Sequence, residues 1–254
     1  LLIIDDGSDD DSVSIVEKLM KLNSNIKLFT TSGRKGSATA RNLGIRNANG
    51  DFIAFLDSDD VWSPTKIEKQ VKAYLSSSNL CVVYSDWFRI DESGNILPPG
   101  RLPKPRISGN IFASALEMVF GASTMFLIPK RIIDNVGMFD ESLLWAEDLD
   151  FTLRLARRFP FLYVDEKLYG YRVHKGSKRS LISRSERLHW ESTVIRRYFE
   201  EGKGSLSKNS RRRIISLLTE HYLKTKQYGE LFSLYASNPD SWSILLKSLS
   251  ERLI

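Results

Sequence analysis

The sequence predicts an α/β fold: a mostly parallel sheet flanked by helices, followed by a helical C-terminal appendage. Short, almost wholly apolar runs alternate with segments of helical spacing along the first part of the chain, as expected for strands buried on both faces. Two of those runs end in acidic clusters, which puts both clusters on the sheet edge where open parallel sheets bind ligands. From about residue 183 the pattern is helical, with Pro239 as the single proline interruption.

Each element follows in order. Leu1-Leu2-Ile3-Ile4 reads as a buried strand entering a turn at Asp5-Asp6-Gly7-Ser8. Ile15, Val16, Leu19 and Met20 recur at helical spacing behind Asp9, Asp10, Asp11 and Ser12, residues suited to a helix N-terminus. A strand over 26–30, a Gly-containing loop over 31–36 and a helix over 37–48 come next, the helix stopping near Gly50. Residues 52–56 form an apolar strand that runs into Asp57-Ser58-Asp59-Asp60. Ser63-Pro64 is expected to open a helix with proline at its first position, where a missing N–H does no harm. Residues 80–84 return as a strand.

After Ser85 the alternation loosens. Residues 91–95 look like a hairpin tip and the Pro-rich piece 98–105 like a surface loop. Further strands are predicted over 122–128, 161–164 and 169–173, with a helix over 147–159. No internal repeat or low-complexity tract is present.

At 254 residues the chain can build one large domain, or a domain plus an appendage. Its 42% hydrophobic and 27% charged composition is that of a folded soluble protein. No apolar run reaches the roughly 18 to 20 residues that cross a bilayer, so a cytoplasmic location is expected. The single cysteine, Cys81, sits in an apolar run and reads as a core residue. The net charge of +6 is unevenly spread: residues 167–213 hold fourteen Lys and Arg against four acids. Such a segment is either a solvated helical face or a surface for a nucleotide diphosphate, an anionic membrane or nucleic acid.

The acidic clusters carry the chemistry. Three carboxylates crowded after a strand repel one another unless a cation sits among them. In an Asp-x-Asp spacing two carboxylates can point the same way, and hard oxygen ligands suit Mg²⁺ or Mn²⁺. Mg²⁺ uses one or two carboxylates and takes water and substrate phosphates for the rest, so the pattern suggests a metal-bound nucleotide. Asp60 and Asp9 to Asp11 can instead cap the helices that follow. Residues 6–17 have the length of an EF-hand loop, but Asp11 replaces the required glycine and a strand precedes it. A phospho-acceptor aspartate is compatible with the spacing alone. Glu147-Asp148-Leu149-Asp150 opens a predicted helix, where acids also serve the helix dipole. Tyr171-Arg172-Val173-His174 holds one of three histidines.

Taken together, LLIIDDGSDD, GSATARNLGI at 36–45, GDFIAFLDSDDVW at 50–62, VGMFDESL at 136–143, AEDLDFTLRL at 146–155 and YRVHKGSKRS at 171–180 give the ordered set its specificity. The chain resembles the inverting family 2 glycosyltransferases of GT-A fold, which include many bacterial polysaccharide transferases and the catalytic domains of cellulose and hyaluronan synthases. The resemblance covers residues 1–182, leaving 183–254 as a helical extension. It implies transfer of a sugar from a nucleotide-diphospho-sugar, UDP-linked, to a saccharide or lipid-linked acceptor hydroxyl, in polysaccharide or cell-envelope glycoconjugate synthesis.

In that reading Asp5, with Asp6, recognises the nucleobase, while Arg41 and Asn42 lie near the nucleotide cleft. Asp57 and Asp59 bind the ribose and the Mg²⁺ or Mn²⁺ that bridges the diphosphate. Asp148 is the general base, with Glu147 as the second choice. His174 approaches the metal or diphosphate, which Arg172, Lys175, Lys178 and Arg179 also help to stabilise. Peripheral membrane association through the basic helices is compatible with it, and no nucleic acid partner is expected. Family members begin with a strand and loop ahead of the first acidic strand, and that unit is missing here. The chain is therefore expected to be a fragment with impaired donor binding. Two other functions stay open: a nucleotidyl- or phosphotransferase using the same carboxylates, and a degenerate, non-catalytic binding module.

Overall fold

The computed structural model describes residues 1–99 and 105–250. The chain opens with β1 (Leu2–Asp5), α1 (Ser12–Leu22), β2 (Lys27–Thr30) and α2 (Ser37–Asn47), close to the predicted bounds. β1 and β2 pair in parallel through the α1 crossover, Ile3 opposite Leu28 and Asp5 opposite Thr30. Next come β3 (Phe52–Ile53), β4 (Val61–Trp62), α3 (Lys66–Leu75), β5 (Val82–Ile90), β6 (Ile96–Leu97), α4 (Phe112–Met118) and β7 (Phe126–Pro129). They are followed by α5 (Lys130–Val136), α6 (Glu147–Arg158), β8 (Phe161–Arg172), α7 (Lys178–Leu181), α8 (Arg184–Gly202), α9 (Lys208–Thr225), α10 (Tyr228–Ala236) and α11 (Trp242–Ser250).

The α/β class and the helical C-terminal region are as predicted, but the strand pairing is mixed instead of mostly parallel. A second sheet has the order β3-β7-β5-β8-β4, with β6 paired to β5. Only β5 and β8 run parallel in it; β3–β7, β7–β5, β5–β6 and β8–β4 are antiparallel. Parallel neighbours need a long crossover. The stretch that contains α6 supplies one for β5 and β8, whereas β7 leaves a short 3₁₀ turn (Ser123–Met125) and runs back between β3 and β5. β1–β2 forms its own two-stranded sheet among the described residues.

Several boundaries moved for local reasons. β3 keeps only two residues because β7 offers it only Ile128 and Pro129. Ser63-Pro64 does not open α3: the Lys66 N–H bonds the Ser63 carbonyl at 2.9 Å, and the helix starts two residues later, after Thr65. β8 is one strand, not two, because its ladder with β5 continues through Lys167 across bulges at Asp86. The hairpin tip at 91–95 is present, with the Asn95 N–H bonding Asp91 Oδ1 at 2.8 Å. Most of the loop expected over 98–105 lies outside the described residues.

Alternation along β5 divides the core. Val82 and Tyr84 point into a large cluster with Phe126, Phe161 and Leu149, while Cys81 and Val83 face Leu127 and the α3 residues Val71 and Tyr74. The large cluster continues without a break into Val194, Phe199, Leu218 and Tyr235 of α8, α9 and α10. Ile45 from α2 and Ile53 from β3 join the same cluster, so the core positions the site elements directly.

One buried charge stands out beneath the sheet. Lys66 is fully buried, bonded through Nζ to Gln70 Oε1 at 2.8 Å and 4.5 Å from the Trp62 ring centroid. Burial lowers its pKa from 10.5 to about 7. The unfolded chain therefore binds the extra proton between those values, so the cost of Lys66 is fully present below pH 7 and disappears toward pH 10.5. Lys66→Met should stabilise the fold more at pH 6 than at pH 9, by on the order of 2 kcal/mol. Urea unfolding at both values checks this, and equal gains would show that the fold accommodates the charge.

Candidate active site

The site starts where the chain leaves β3. The Asp60 N–H bonds the Asp57 carbonyl at 3.1 Å, closing a tight turn that presents Asp57 and Asp59 and turns Asp60 inward. Asp60 is buried and caps no helix. Its carboxylate accepts the Tyr169 hydroxyl and, at 2.7 Å, the Arg172 N–H, which ties the turn to the end of β8. Burial raises its pKa to about 6, against these two hydrogen bonds. The Arg172 guanidinium bonds backbone carbonyls of Asp59 (2.6 Å), Asp91 (2.9 Å) and Glu92 (3.0 Å), so it fixes the acidic turn against the hairpin tip. Beyond it, His174 Nε2 lies 2.9 Å from Asp59 Oδ2.

Arg41, from the middle of α2, joins the turn to α6. It donates to Asp57 Oδ1 at 2.8 Å and reaches Glu147 Oε1 at 3.3 Å, with its guanidinium carbon 5.5 Å from the Phe139 ring centroid. Burial opposes its charge, yet Asp57, Glu147 and Asp148 together raise its pKa well above the usual arginine value. Glu147 also accepts Ser37 Oγ at 2.6 Å and lies 3.7 Å from Lys178 Nζ. Four segments that are distant in sequence thus meet on one guanidinium and one carboxylate.

Asp148 stands beside this network, on a different wall. Its Oδ1 accepts the Leu149 N–H at 2.8 Å, and Oδ2 has no hydrogen-bond partner among the described residues. It lines a cavity of about 140 Å³ with Gly121, Trp87, Trp145 and Met125. Burial and then the neighbouring Glu147 raise its pKa to about 6, while Arg41 pulls the other way. The backbone is strained just before it: Ala146 takes the left-handed conformation, φ 65°, which costs an L-residue on the order of 1 kcal/mol.

The remaining predicted residues are engaged outside that network. Asp5 accepts the N–H groups of Gly7 (3.2 Å) and Ser8 (3.2 Å), and its pKa is lowered by the Ser8 side chain and then by these backbone bonds. Asp6 accepts Thr31 Oγ1 (2.7 Å) and the N–H groups of Lys35 (2.9 Å) and Gly36 (2.7 Å), which orders the loop leading into α2. Asn42 is buried, exchanging bonds with both backbone groups of Phe139 and donating to Glu141. Asp150 turns away to Arg154 and to the Tyr198 hydroxyl of α8.

The family model described as Glycosyl transferase family 2 matches residues 1–137, more than half of the chain. The chain belongs to this family. An uncharacterized Rickettsia conorii glycosyltransferase is 33% identical over 184 residues, 70% of this chain and 28% of its own length. An Escherichia coli protein named UDP-Glc:alpha-D-GlcNAc-diphosphoundecaprenol beta-1,3-glucosyltransferase is 29% identical over 183 residues, 70% of this chain and 66% of its own. The chain thus spans under a third of the Rickettsia relative. Staphylococcus aureus TarS 1-349, solved in complex with UDP-GlcNAc, superposes with a TM-score of 0.60 at 16% identity, over 96% of this chain and 79% of that one. That likeness establishes the GT-A fold.

Among the described residues no three His, Cys, Asp or Glu side chains gather tightly enough to cage a metal ion. The Asp59 and His174 pair offers two donors within hydrogen-bond distance, which suits a divalent ion that draws its other ligands from phosphate and water. Asp57 is committed to Arg41.

Reading the sequence did not single out Tyr169 or Ser37 as site residues. Gly121 follows the bulky apolar run Met118-Val119-Phe120 and precedes Ala122, Ser123 and Thr124. A Cβ there would lie 2.7 Å from Asp148 Oδ1 and 2.8 Å from the Leu149 nitrogen. Gly121→Ala should therefore displace Asp148, lowering kcat at least about tenfold with UDP binding unchanged. Steady-state kinetics and UDP titration check this; unchanged kcat would show that the wall yields.

Proposed function

We propose that the protein transfers a sugar from a UDP-sugar to an acceptor hydroxyl, with inversion at the anomeric carbon. The observation that carries this reading is Asp148, a carboxylate with one free oxygen on a cavity wall, adjoining the Arg41, Asp57 and Glu147 network. Asp148 accepts the acceptor's hydroxyl proton as the new oxygen–carbon bond forms and the bond from the anomeric carbon to the diphosphate oxygen breaks. Proton transfer of this kind typically contributes on the order of 10²- to 10⁴-fold.

On the donor side, Asp5 recognises the base and Asp57, oriented by Arg41, the ribose. Asp6 and Asn42 act as positioning residues, through the α2 loop and the Phe139 backbone. Glu147 orients Arg41 and Lys178. Asp59 and His174 would hold Mg²⁺ or Mn²⁺, which stabilises negative charge on the departing diphosphate. Arg172 supports this by fixing the turn backbone. Residues 1–182 would carry the chemistry, with the helices of 183–254 bracing α6 through Tyr198 and Asp150.

The relatives lend support through what they bind and what they are named for: UDP-GlcNAc in the TarS complex, and a UDP-sugar and a lipid-diphosphate acceptor in the Escherichia coli protein. A lipid-linked acceptor fits a reaction at the cytoplasmic membrane face. No helix among the described residues is long and apolar enough to cross a membrane.

Asp148→Asn is expected to abolish transfer while leaving UDP binding within twofold, and Asp59→Ala to weaken both. Because the base must be deprotonated, wild-type turnover should fall as pH drops through about 6. UDP release from UDP-sugars across a pH series tests this. Normal turnover by Asp148→Asn would remove the base assignment, and pyrophosphate release from nucleoside triphosphates would favour a nucleotidyltransferase.

A further inference from the structure

A second and larger cavity, about 730 Å³, opens beside the Asp148 cavity and shares Trp87 and Arg179 with it. Four arginines line it: Arg89 from β5, Arg179 from α7, and Arg184 and Arg187 from the first turn of α8. No aspartate or glutamate does. Among the described residues none of the four forms an ion pair with a carboxylate, although sixteen other ion pairs are formed elsewhere. Arg187 is held by the backbone carbonyls of Ile182 (2.9 Å) and Arg179, which fixes its position without neutralising it. Two acids outside the groove feel its arginines: Glu191, which lines the Asp148 cavity and accepts the Trp145 indole N–H at 3.2 Å, interacts with Arg179 and Arg187, and Glu220 interacts with Arg184. Burial raises the Glu191 pKa, against the Trp145 hydrogen bond and the pull of Arg179 and Arg187.

Four guanidinium groups around one concavity create a positive potential that an anion relieves, and the planar arginine fork matches phosphate oxygens in pairs. None of Asp5, Asp57, Asp59 or Arg41 lines this groove, which adjoins the donor side at Val173 and Ser177, on either side of His174; Arg179, which the family resemblance assigns to the donor diphosphate, lines this groove instead. Its far wall is aromatic, Trp87 and Tyr171 meeting edge to face at 6.1 Å. We propose that the groove binds a diphosphate group carried by the acceptor, holding it while the acceptor's hydroxyl reaches Asp148 next door. This rests on the reading of Asp148 as the base for the acceptor. The diphosphate could belong to a lipid-linked sugar or to a water-soluble one, and the recognition chemistry is shared.

The test uses the whole protein saturated with UDP, which fills the donor side. Inorganic pyrophosphate and geranyl diphosphate are titrated calorimetrically, with geraniol as the neutral control. Both anions should bind and geraniol should not. The Arg89→Gln/Arg184→Gln double variant should lose at least tenfold for both anions, with UDP binding within twofold. Arg184→Lys, an exposed change that keeps the charge but loses the fork, should weaken anion binding less than the double variant does, separating charge from folding. Tighter binding of geranyl diphosphate than of pyrophosphate would point to a lipid-linked source, and equal binding to a soluble one; both support the groove. Failure of both anions to bind, or unchanged binding in the double variant, would overturn it. If UDP itself does not bind, the donor reading fails, while anion binding lost in the double variant would still uphold the groove.

Discussion

The buried guanidinium of Arg41 is the constraint on which the site depends. Two carboxylates, Asp57 after β3 and Glu147 at the start of α6, come together only because this cation lies between them. Glu147 and Arg41 are both largely buried, and breaking a buried pair by removing one partner typically costs about 3–5 kcal/mol; Asp57 is half-exposed, so solvent screens its share of the attraction. The Phe139 ring under the guanidinium is held by Asn42, so α2 supplies both the cation and the clamp for the ring it rests on.

A second fastening sets the outer edge. Asp60 turns inward to β8, and Arg172 bonds the backbone carbonyls of the acidic turn from the other side. The turn is thereby held rigid while Asp59 stays at the surface facing His174. Of the three crowded carboxylates, one is consumed by structure, one by Arg41, and one is left facing an imidazole. Mutual repulsion is relieved by giving each acid a different partner.

The helical region shapes the opposite side of the site. Asp150 and Tyr198 join α6 to α8, and the hydrophobic cluster runs from the sheet into α8, α9 and α10. The same α8 begins with Arg184 and Arg187, two of the four arginines that line the larger groove. Of the basic stretch, Arg179, Arg184 and Arg187 line this concavity beside Asp148, while Lys208 and Arg211 to Arg213 stay on a solvated helical face.

The sequence by itself determined the strands and helices whose signals are local. Apolar runs placed β1, β2 and the start of β5, helical spacing placed α1, α2 and α6, and the ordered acidic motifs pointed to the transferase family. Tertiary structure decided what depends on pairing between distant segments. The antiparallel entry of β7, the two-residue strand β4 and the continuity of β8 through Lys167 are set by ladder partners, not by their own residues. The same holds for side-chain roles. Asp57, Asp59 and Asp60 are chemically alike and adjacent, so composition and spacing cannot divide their roles. The division comes from Arg41, His174 and Tyr169, each brought in from another part of the chain.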